Sequence, residues 1–594
     1  MVSSNQWMTA LAAPVAVACL CGASDAKAGV QRPGPRPMAA TSRLAPTEIG
    51  CENLLDSVRF DSDLDAYIES KMAEAHLPGL SACAIHGEQV IWSKAYGLAQ
   101  IDPPVPVTTD TLFAICSISK TITTTALMRM REEGAFALDD PVNDYLPFLV
   151  QHPQYPGTDI TFRMALSNTG SFSDNWDILL PLTVPGDSPI PLAEFLPAYL
   201  VPGGEYYSSG SYLFGEPGTT YHYSNIGFTL AGYLGELMCG EDFAAHCDAE
   251  LFEPLGMTET SFMLADLDLD QVAMPYVWDG GTGEYEPYFQ WGMPIYPAGT
   301  VRTSPEQLAR ILMSQMNAGT SLGVPVLAPL SVAQMQTVQV PPASTMDYCL
   351  GLYRLYGVDG ELFIGHGGDF IGSHALMFFR PADHLGIIVA TNGDPSGTGW
   401  SEIFVRLGEE FRQSCPGDVN HDDGIDVLDL LDLLAAWGPC EACAADSDHD
   451  GVVDVLDLLT LLGNWGRCPH IAVTGPLGPI GSGAKPVYTL TALPPADSEV
   501  TFSFSAIGDL GEASEHINVL VNGTSIGVIY DSGASDCPIE PDAAQLILSA
   551  ETFNSLVSSG SAVMKLVATA EVDPHQCDGF SYINVRVEYV PVSR

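Results

Sequence analysis

Ser117 and Lys120 stand three positions apart in Ser117-Ile118-Ser119-Lys120, where a segment running from Thr121 to Glu133 reads as a helix. Residues three apart on a helix share a face, with Cβ atoms roughly 5–6 Å apart. A serine hydroxyl is a weak nucleophile until a base takes its proton, and a lysine becomes that base when burial lowers its pKa. The helix N-terminus adds backbone N–H groups and a positive dipole end suited to an oxyanion. Spacing alone is not diagnostic. Ser24-Asp-Ala-Lys27 and Ser482-Gly-Ala-Lys485 share the pattern, and Tyr223-Ser224-Asn225 is echoed by Tyr582-Ile583-Asn584 in a strand-like run.

A second chemistry is written in carboxylates. Asp418, Asn420, Asp422, Asp426 and Asp429 place oxygens at positions 1, 3, 5, 9 and 12 of a loop, and Asp446, Asp448, Asp450, Asp454 and Asp457 repeat the arrangement. Oxygen-only donors at that spacing suit a hard cation such as Ca²⁺. Position 6, which must turn sharply, is Gly451 in the second loop and Asp423 in the first. Asp tolerates that conformation better than most residues, at some cost. Cys415/Cys443, Asp418/Asp446, Trp437/Trp465 and Cys440/Cys468 all recur at a period of 28, so the loops belong to a duplicated unit with a Leu-rich helix in each copy. The cysteine spacing suggests one disulfide per repeat, Cys415–Cys440 and Cys443–Cys468.

The elements around these groups divide the chain. Residues 1–28 read as an export signal, with an apolar stretch from Met8 to Ala23 and a small-residue cleavage site at Ala26-Lys27-Ala28. Residues 29–50 read as a Pro- and Arg-rich linker, and 51–414 as mixed α/β. Strands are expected around Ser81–Ile85 and Gly386–Ala390, and a helix over Pro305–Asn317. Residues 415–469 hold the repeat pair. Residues 470–594 open with a Gly- and Pro-rich linker and continue in alternating runs such as Val500–Phe504, Ile517–Val521 and Tyr582–Tyr589, which predict a β-sandwich. Cys537 and Cys577 are expected to pair there. After Cys19 and Cys21 leave with the signal, twelve of the 14 cysteines remain. An even number fits an oxidising compartment and a periplasmic, cell-surface or extracellular protein. The balance of 73 acidic to 22 basic residues, −51 overall, excludes nucleic acid and anionic membranes as partners. No later apolar run is long enough to span a membrane.

Over about 54–411 the chain resembles the β-lactamase-related serine hydrolases: AmpC-type β-lactamases, D-Ala-D-Ala carboxypeptidases, D-amino-acid peptidases and esterases. Phe113–Thr121, Glu133–Pro141, Pro217–Gly227, Glu253–Met257, Gly299–Ser304, Ile364–Gly368 and Ala390–Gly393 carry the likeness, in the family's order. The resemblance implies a β-lactamase/transpeptidase-like α/β (α+β) domain in a multidomain chain. It makes Ser117 the acylated nucleophile, Lys120 its proton acceptor, and Tyr223 the phenol or phenolate serving the leaving group or deacylating water. Asn225 would hold substrate amide or Lys120. His366, Gly367 and Gly368 would line the cleft on an edge strand, and the N–H groups of Ser117 and Asp369 would form the oxyanion hole. No cofactor enters catalysis. The repeat pair resembles a dockerin, which implies structural Ca²⁺ in an EF-hand-like helical unit and a cohesin-type partner. The residues at loop positions 10 and 11, Val427-Leu428 and Val455-Leu456, are apolar and speak for a plain spacer instead.

Two departures narrow the activity. His366-Gly367-Gly368 stands where dedicated β-lactamases of this fold carry Lys-Thr-Gly, so a titratable imidazole replaces a permanent cation. Leu166–Phe172 departs from the usual His-Thr-Ser-Gly run, and reads as support for the site. The expected function is an exported serine hydrolase cleaving an amide or ester, a D-amino-acid peptide or carboxylic ester, through an acyl-serine. The rivals are β-lactamase activity at the same site, and a surface adhesion or scaffold protein with an inactive hydrolase domain.

Overall fold

Continuous runs of buried residues build the central sheet of the N-terminal region. The computed structural model describes residues 58–594, apart from 342–343, 345, 358–359, 398, 413–416, 421–423, 441–444, 448–451, 558–559, 575, 578 and 593–594. The signal and linker expected over 1–50 lie outside the described residues, as do Cys415, Cys443, Asp422, Asp423, Asp448, Asp450 and Gly451.

Helix α1 (Val58–Ala75) leads into β1 (Gly79–His86), β2 (Gln89–Gln100) and the short β3 (Val105–Pro106). After the helical middle of the chain come β4 (Asp347–Tyr348), β5 (Tyr353–Tyr356), β6 (Leu362–Phe370), β7 (Ser373–Arg380) and β8 (Leu385–Thr391). They form one antiparallel sheet in the order β4-β5-β6-β7-β8-β1-β2-β3, closed by pairing of β1 with β8, Leu80 opposite Thr391. β1, β7 and β8 are buried on both faces, which is why they read as continuous apolar runs. Packing against them are α4 (Pro305–Met316) and α5 (Gly399–Glu410), while α2 (Ser119–Glu132) and α3 (Asn225–Cys239) form the helical layer around the candidate site.

The repeat pair contributes α6 (Val427–Ala435) and α7 (Val455–Gly463), with Gly424–Ile425 paired to Gly466–Arg467 and Gly438–Pro439 to Val452–Val453. Both helices stop two residues before the repeated tryptophans, Trp437 and Trp465. Beyond them, β9 (His470–Val473), β10 (Val487–Leu490), β11 (Val500–Ile507), β12 (Ile517–Val521), β13 (Thr524–Ile529), β14 (Asp542–Leu548), β15 (Ala562–Ala568) and β16 (Tyr582–Tyr589) make two four-stranded antiparallel sheets. Their orders are β9-β16-β11-β14 and β10-β15-β12-β13. Phe502, Phe504, Val519, Met564 and Val585 fill the core between them, and Cys537 and Cys577 are bonded.

The Gly- and Pro-rich stretch opening the C-terminal region is not a loose tether. Arg354 of β5, fully surrounded by protein, donates to the carbonyls of Gln336, Thr474 and Pro476, tying the strand to the segment leading into the sandwich. Ala333 packs in one cluster with Ile507, Phe580 and Tyr582.

Candidate active site

The nucleophile sits in an elbow between strand and helix. Phe113–Ala114 pairs with Arg302–Thr303, and Ile115 N–H donates to Val301 O. The chain then turns through Cys116, whose φ of 48° is left-handed, a conformation non-glycine residues adopt rarely and mostly at functional turns. Cys116–Ile118 form one 3₁₀ turn, and α2 begins only at Ser119. Ser117 is therefore not in the first α-helical turn, as its spacing from Lys120 suggested: the left-handed residue before it tightens the entry. Ser119 Oγ donates to Cys116 O and accepts from Val301 N, pinning the turn. Ser117 alone among 111–121 is partly exposed.

Lys120 is fully buried. Its Nζ lies 3.0 Å from Ser117 Oγ, 2.7 Å from Asn225 Oδ1 and 2.7 Å from Ala298 O. Burial, against a smaller opposing pull from Asp174, lowers its pKa to about 7. A neutral amine has two N–H groups and one lone pair. With Asn225 Oδ1 and Ala298 O accepting the two hydrogens, the lone pair is left for the Ser117 hydroxyl. The 3₁₀ turn Tyr296–Ala298 that supplies this carbonyl is sewn to α2 by Thr123 Oγ1 donating to Pro297 O.

Tyr223 ends the loop before α3. Its ring centre is 4.9 Å from Lys120 Nζ, and its hydroxyl interacts with Ser117. Burial raises its pKa well above 10, so it is a phenol at ordinary pH. Asn168, also left-handed, accepts from Ser224 N at 2.9 Å and from His222 N at 2.8 Å, so the Leu166–Phe172 segment does support the site.

His366 requires a correction on two counts. β6 is not an edge strand; β5 pairs with it as far as Gly365, and His366 lies buried just beyond. Burial and the Lys120 charge push its pKa down to about 3, so the ring is neutral and does not titrate near physiological pH. Its Nε2 lies 3.2 Å from Tyr348 Oη, and its ring is 6.2 Å from that of Tyr223. Past His366 the open side of β6 receives the nucleophile turn. A Cβ on Gly368 would lie 2.0 Å from Ile115 O, which explains a glycine there and brings the Asp369 peptide toward Ser117.

Two residues that spacing could not disclose complete the site. Asp174 accepts from Asn225 Nδ2 at 2.7 Å, from Asn225 N at 2.8 Å and from Ile226 N at 3.2 Å, at the positive end of α3. His374 bridges Asp369 Oδ1, 2.6 Å from Nδ1, and Asp394 Oδ1, 3.0 Å from Nε2. Burial opposes its charge, yet these two carboxylates outweigh it and raise the pKa to about 9. Nothing near 174 or 374 in sequence carries a recognisable spacing.

In the repeat pair, Asp426 and Asp454 cap α6 and α7 by accepting from Leu428 N and Leu456 N. Asp429 accepts from Val419 N, Asn420 N and Asp426 N, and Asp457 from Ser447 N and Asp454 N, so both carboxylates close their loops. Asp418 and Asp446 are buried at the loop starts. Asp422, Asp448 and Asp450 lie outside the described residues, so neither expected ligand set is seen whole. Cys440 and Cys468 are disulfide-bonded. Cys83, Cys116, Cys239, Cys247 and Cys349 are free thiols. Among the described residues no helix is long and apolar enough to cross a membrane.

A partly exposed serine on a strand-to-helix elbow, backed by a desolvated lysine and a phenol, is the arrangement of the active-serine hydrolases. Residues 64–406 match the beta-lactamase family model, and the chain belongs to that family. It is 23% identical over 332 residues to protein flp of Staphylococcus aureus (strain NCTC 8325 / PS 47), covering 55% of this chain and 62% of that protein. It is 26% identical over 343 residues to penicillin-binding protein 4 of Amycolatopsis lactamdurans, covering 56% and 86%. The chain thus spans less than two thirds of the flp proteins it matches. A solved penicillin-binding protein homologue from Pyrococcus abyssi superposes with a TM-score of 0.48 at 22% identity, over 58% of this chain and 76% of that one.

Proposed function

We propose that the protein is an exported serine hydrolase that cleaves a carboxylic ester or a D-amino-acid amide or peptide bond. The observation that carries this reading is the Lys120 amine, lowered to about 7, with its lone pair directed at Ser117. In acylation, the Ser117 proton passes to Lys120 Nζ as Oγ bonds to the substrate carbonyl carbon. The peptide N–H groups of Ser117 and Asp369 receive the oxyanion. When the intermediate collapses, the carbonyl–leaving-group bond breaks. The leaving group takes a proton through the Tyr223 phenol, which Lys120 replenishes. Water then reverses the sequence and frees Ser117. No cofactor enters these steps.

Substrate choice follows from His366. A neutral imidazole offers no permanent charge to a substrate carboxylate, which supports esters and neutral amides over cephalosporins. Phe370, next to Asp369, packs on Trp176 and on the buried Trp291, with ring centres 6.4 and 4.4 Å away, so the surroundings beyond Asp369 are apolar and support an apolar acyl group. A panel of nitrophenyl esters, D-Ala-D-Ala peptides and a chromogenic cephalosporin tests this reading. Fastest turnover of the cephalosporin would remove it, and a chain that no acylating probe labels would favour the inactive-scaffold alternative.

The repeat pair is read as a dockerin-like unit. Its donors are all oxygens, which fits Ca²⁺ held by Asp418, Asn420, Asp422, Asp426 and Asp429 and by the matching set from Asp446 to Asp457. Val427, Leu428, Leu431 and Trp437 expose an apolar face that Val455, Leu456, Leu459 and Trp465 repeat, a surface of the kind that marks an interaction site but without the polar residues at loop positions 10 and 11 that a cohesin-type partner would read.

A further inference from the structure

We propose that Asp174 is a positioning residue that fixes which end of the Asn225 amide faces Lys120, and thereby where the Lys120 lone pair points. The proposal rests on the serine-hydrolase reading of this site and adds a residue to it.

An amide side chain can be turned end for end at almost no steric cost, so its orientation is decided by its neighbours. Toward α3 the neighbour is Asp174, 2.7 Å from Asn225 Nδ2. Burial raises the Asp174 pKa, but the donors of Asn225, Ile226 and Ser224 and the Lys120 charge oppose that, and a carboxylate so held only accepts, so the NH₂ end of Asn225 must face it. Oδ1 is then obliged to face Lys120, 2.7 Å away. Ala298 O is likewise an acceptor alone. Both hydrogens of a neutral Lys120 amine are thereby committed, and its third direction is the Ser117 hydroxyl. Were the amide reversed, its NH₂ would donate to Lys120 and occupy the lone pair that must take the serine proton. The chain of command is Asp174 to Asn225 to Lys120 to Ser117.

Asp174 is itself held firmly. Its Oδ1 and Oδ2 accept from the backbone N–H groups of Asn225 and Ile226 and from Ser224 Oγ, at 2.8–3.2 Å, so it cannot swing away from the amide. Lys120 also faces Cys116 on the nucleophile turn, Tyr223 on the loop before α3 and His366 on β6, none of which contacts the Asn225 amide in these bonds. The orientation of Asn225 is thus set by Asp174 on one side alone.

The test uses the full-length chain, a neutral nitrophenyl ester and a fluorescent acylating probe. D174N retains an oxygen for the backbone N–H groups but turns an NH₂ toward Asn225. It should lower kcat and the rate of Ser117 labelling by about 100-fold with little change in KM, the size expected when general-base catalysis is lost. Because a negative charge near Lys120 is gone, the acid limb of the pH profile should move to lower pH. The exchanged pair D174N/N225D again presents an oxygen to Lys120, so it should recover at least ~10-fold over D174N, with its acid limb above that of the wild type. A purely structural role predicts lower thermal stability in both variants without that recovery. Should D174N not fold, D174S keeps a capping oxygen while leaving the amide unfixed, and should show the same loss. Wild-type rates in D174N, or an exchanged pair no better than the single variant, would overturn the role of Asp174. Absence of labelling in the wild type would instead overturn the serine-hydrolase reading.

Discussion

Ser117–Lys120 and Ser482–Lys485 have the same spacing and opposite surroundings. Lys120 is enclosed by α2, α3, β6 and the Tyr296–Ala298 turn, whereas Ser482 and Lys485 sit exposed on a loop between β9 and β10. Water around an exposed amine leaves its geometry unfixed. Enclosure removes that water and leaves two protein acceptors to orient the amine. The difference teaches that the motif supplies only reach. Desolvation and the acceptor set turn reach into basicity.

The comparison can be broken most directly at the serines. Ser117→Ala should cut ester turnover on the order of 10⁶-fold and abolish covalent labelling, while Ser482→Ala should change neither. Lys120→Ala should lose a comparable factor, and the double variant no more, because the two act as a unit. Labelling that survives at another serine in the Ser117 variant would sink the assignment.

A smaller but still large effect is expected at Gly368. A methyl group there meets the backbone carbonyl of Ile115 at 2.0 Å, and the clash must displace the nucleophile turn. Gly368→Ala should therefore cost about 100-fold in kcat/KM with a modest change in Tm, since an ångström of misplacement has that consequence. Equal rates in the two proteins would show that the turn and β6 are not in register for catalysis.

The pH profile sharpens the comparison. With the neutral Lys120 amine as the competent form, kcat/KM for an uncharged ester should rise as pH passes through about 7. Tyr223 should add no second rise below pH 10, because burial holds it as a phenol. A profile flat from pH 5 to 9 would falsify the base assignment.

His374 offers a test in stability. Its folded pKa of about 9 exceeds the ordinary value of 6.5, so its pairing with Asp369 and Asp394 contributes fully below about pH 6.5 and is lost as pH rises through 9. The gap in unfolding free energy between wild type and His374→Gln should be widest near pH 6, at up to about 3 kcal/mol, and should close by pH 10. The smallest effect concerns Ca²⁺: calorimetry should detect uptake by the full chain, while chelation leaves ester hydrolysis nearly unchanged. Loss of activity on chelation would end the separation of the two chemistries.

A spacing of three put Lys120 within reach of Ser117 through a 3₁₀ turn running into α2, because that relation is local and follows from backbone geometry. The strands over Ser81–Ile85, Gly386–Ala390, Val500–Phe504 and Tyr582–Tyr589 were equally legible from their apolar patterning. The protonation states were not. His366 and His374, eight residues apart on one hairpin, lie near 3 and near 9, since one is enclosed beside Lys120 and the other is clasped by two carboxylates. Asp174, Ala298 and Asp394 reach the site from separate loops, and no spacing rule links 174 to 225 or 298 to 120. A residue's type and its neighbours in the chain set what it can do. Which acceptors surround it after water is expelled, and therefore which form it takes, is set by contacts between segments more than a hundred residues apart.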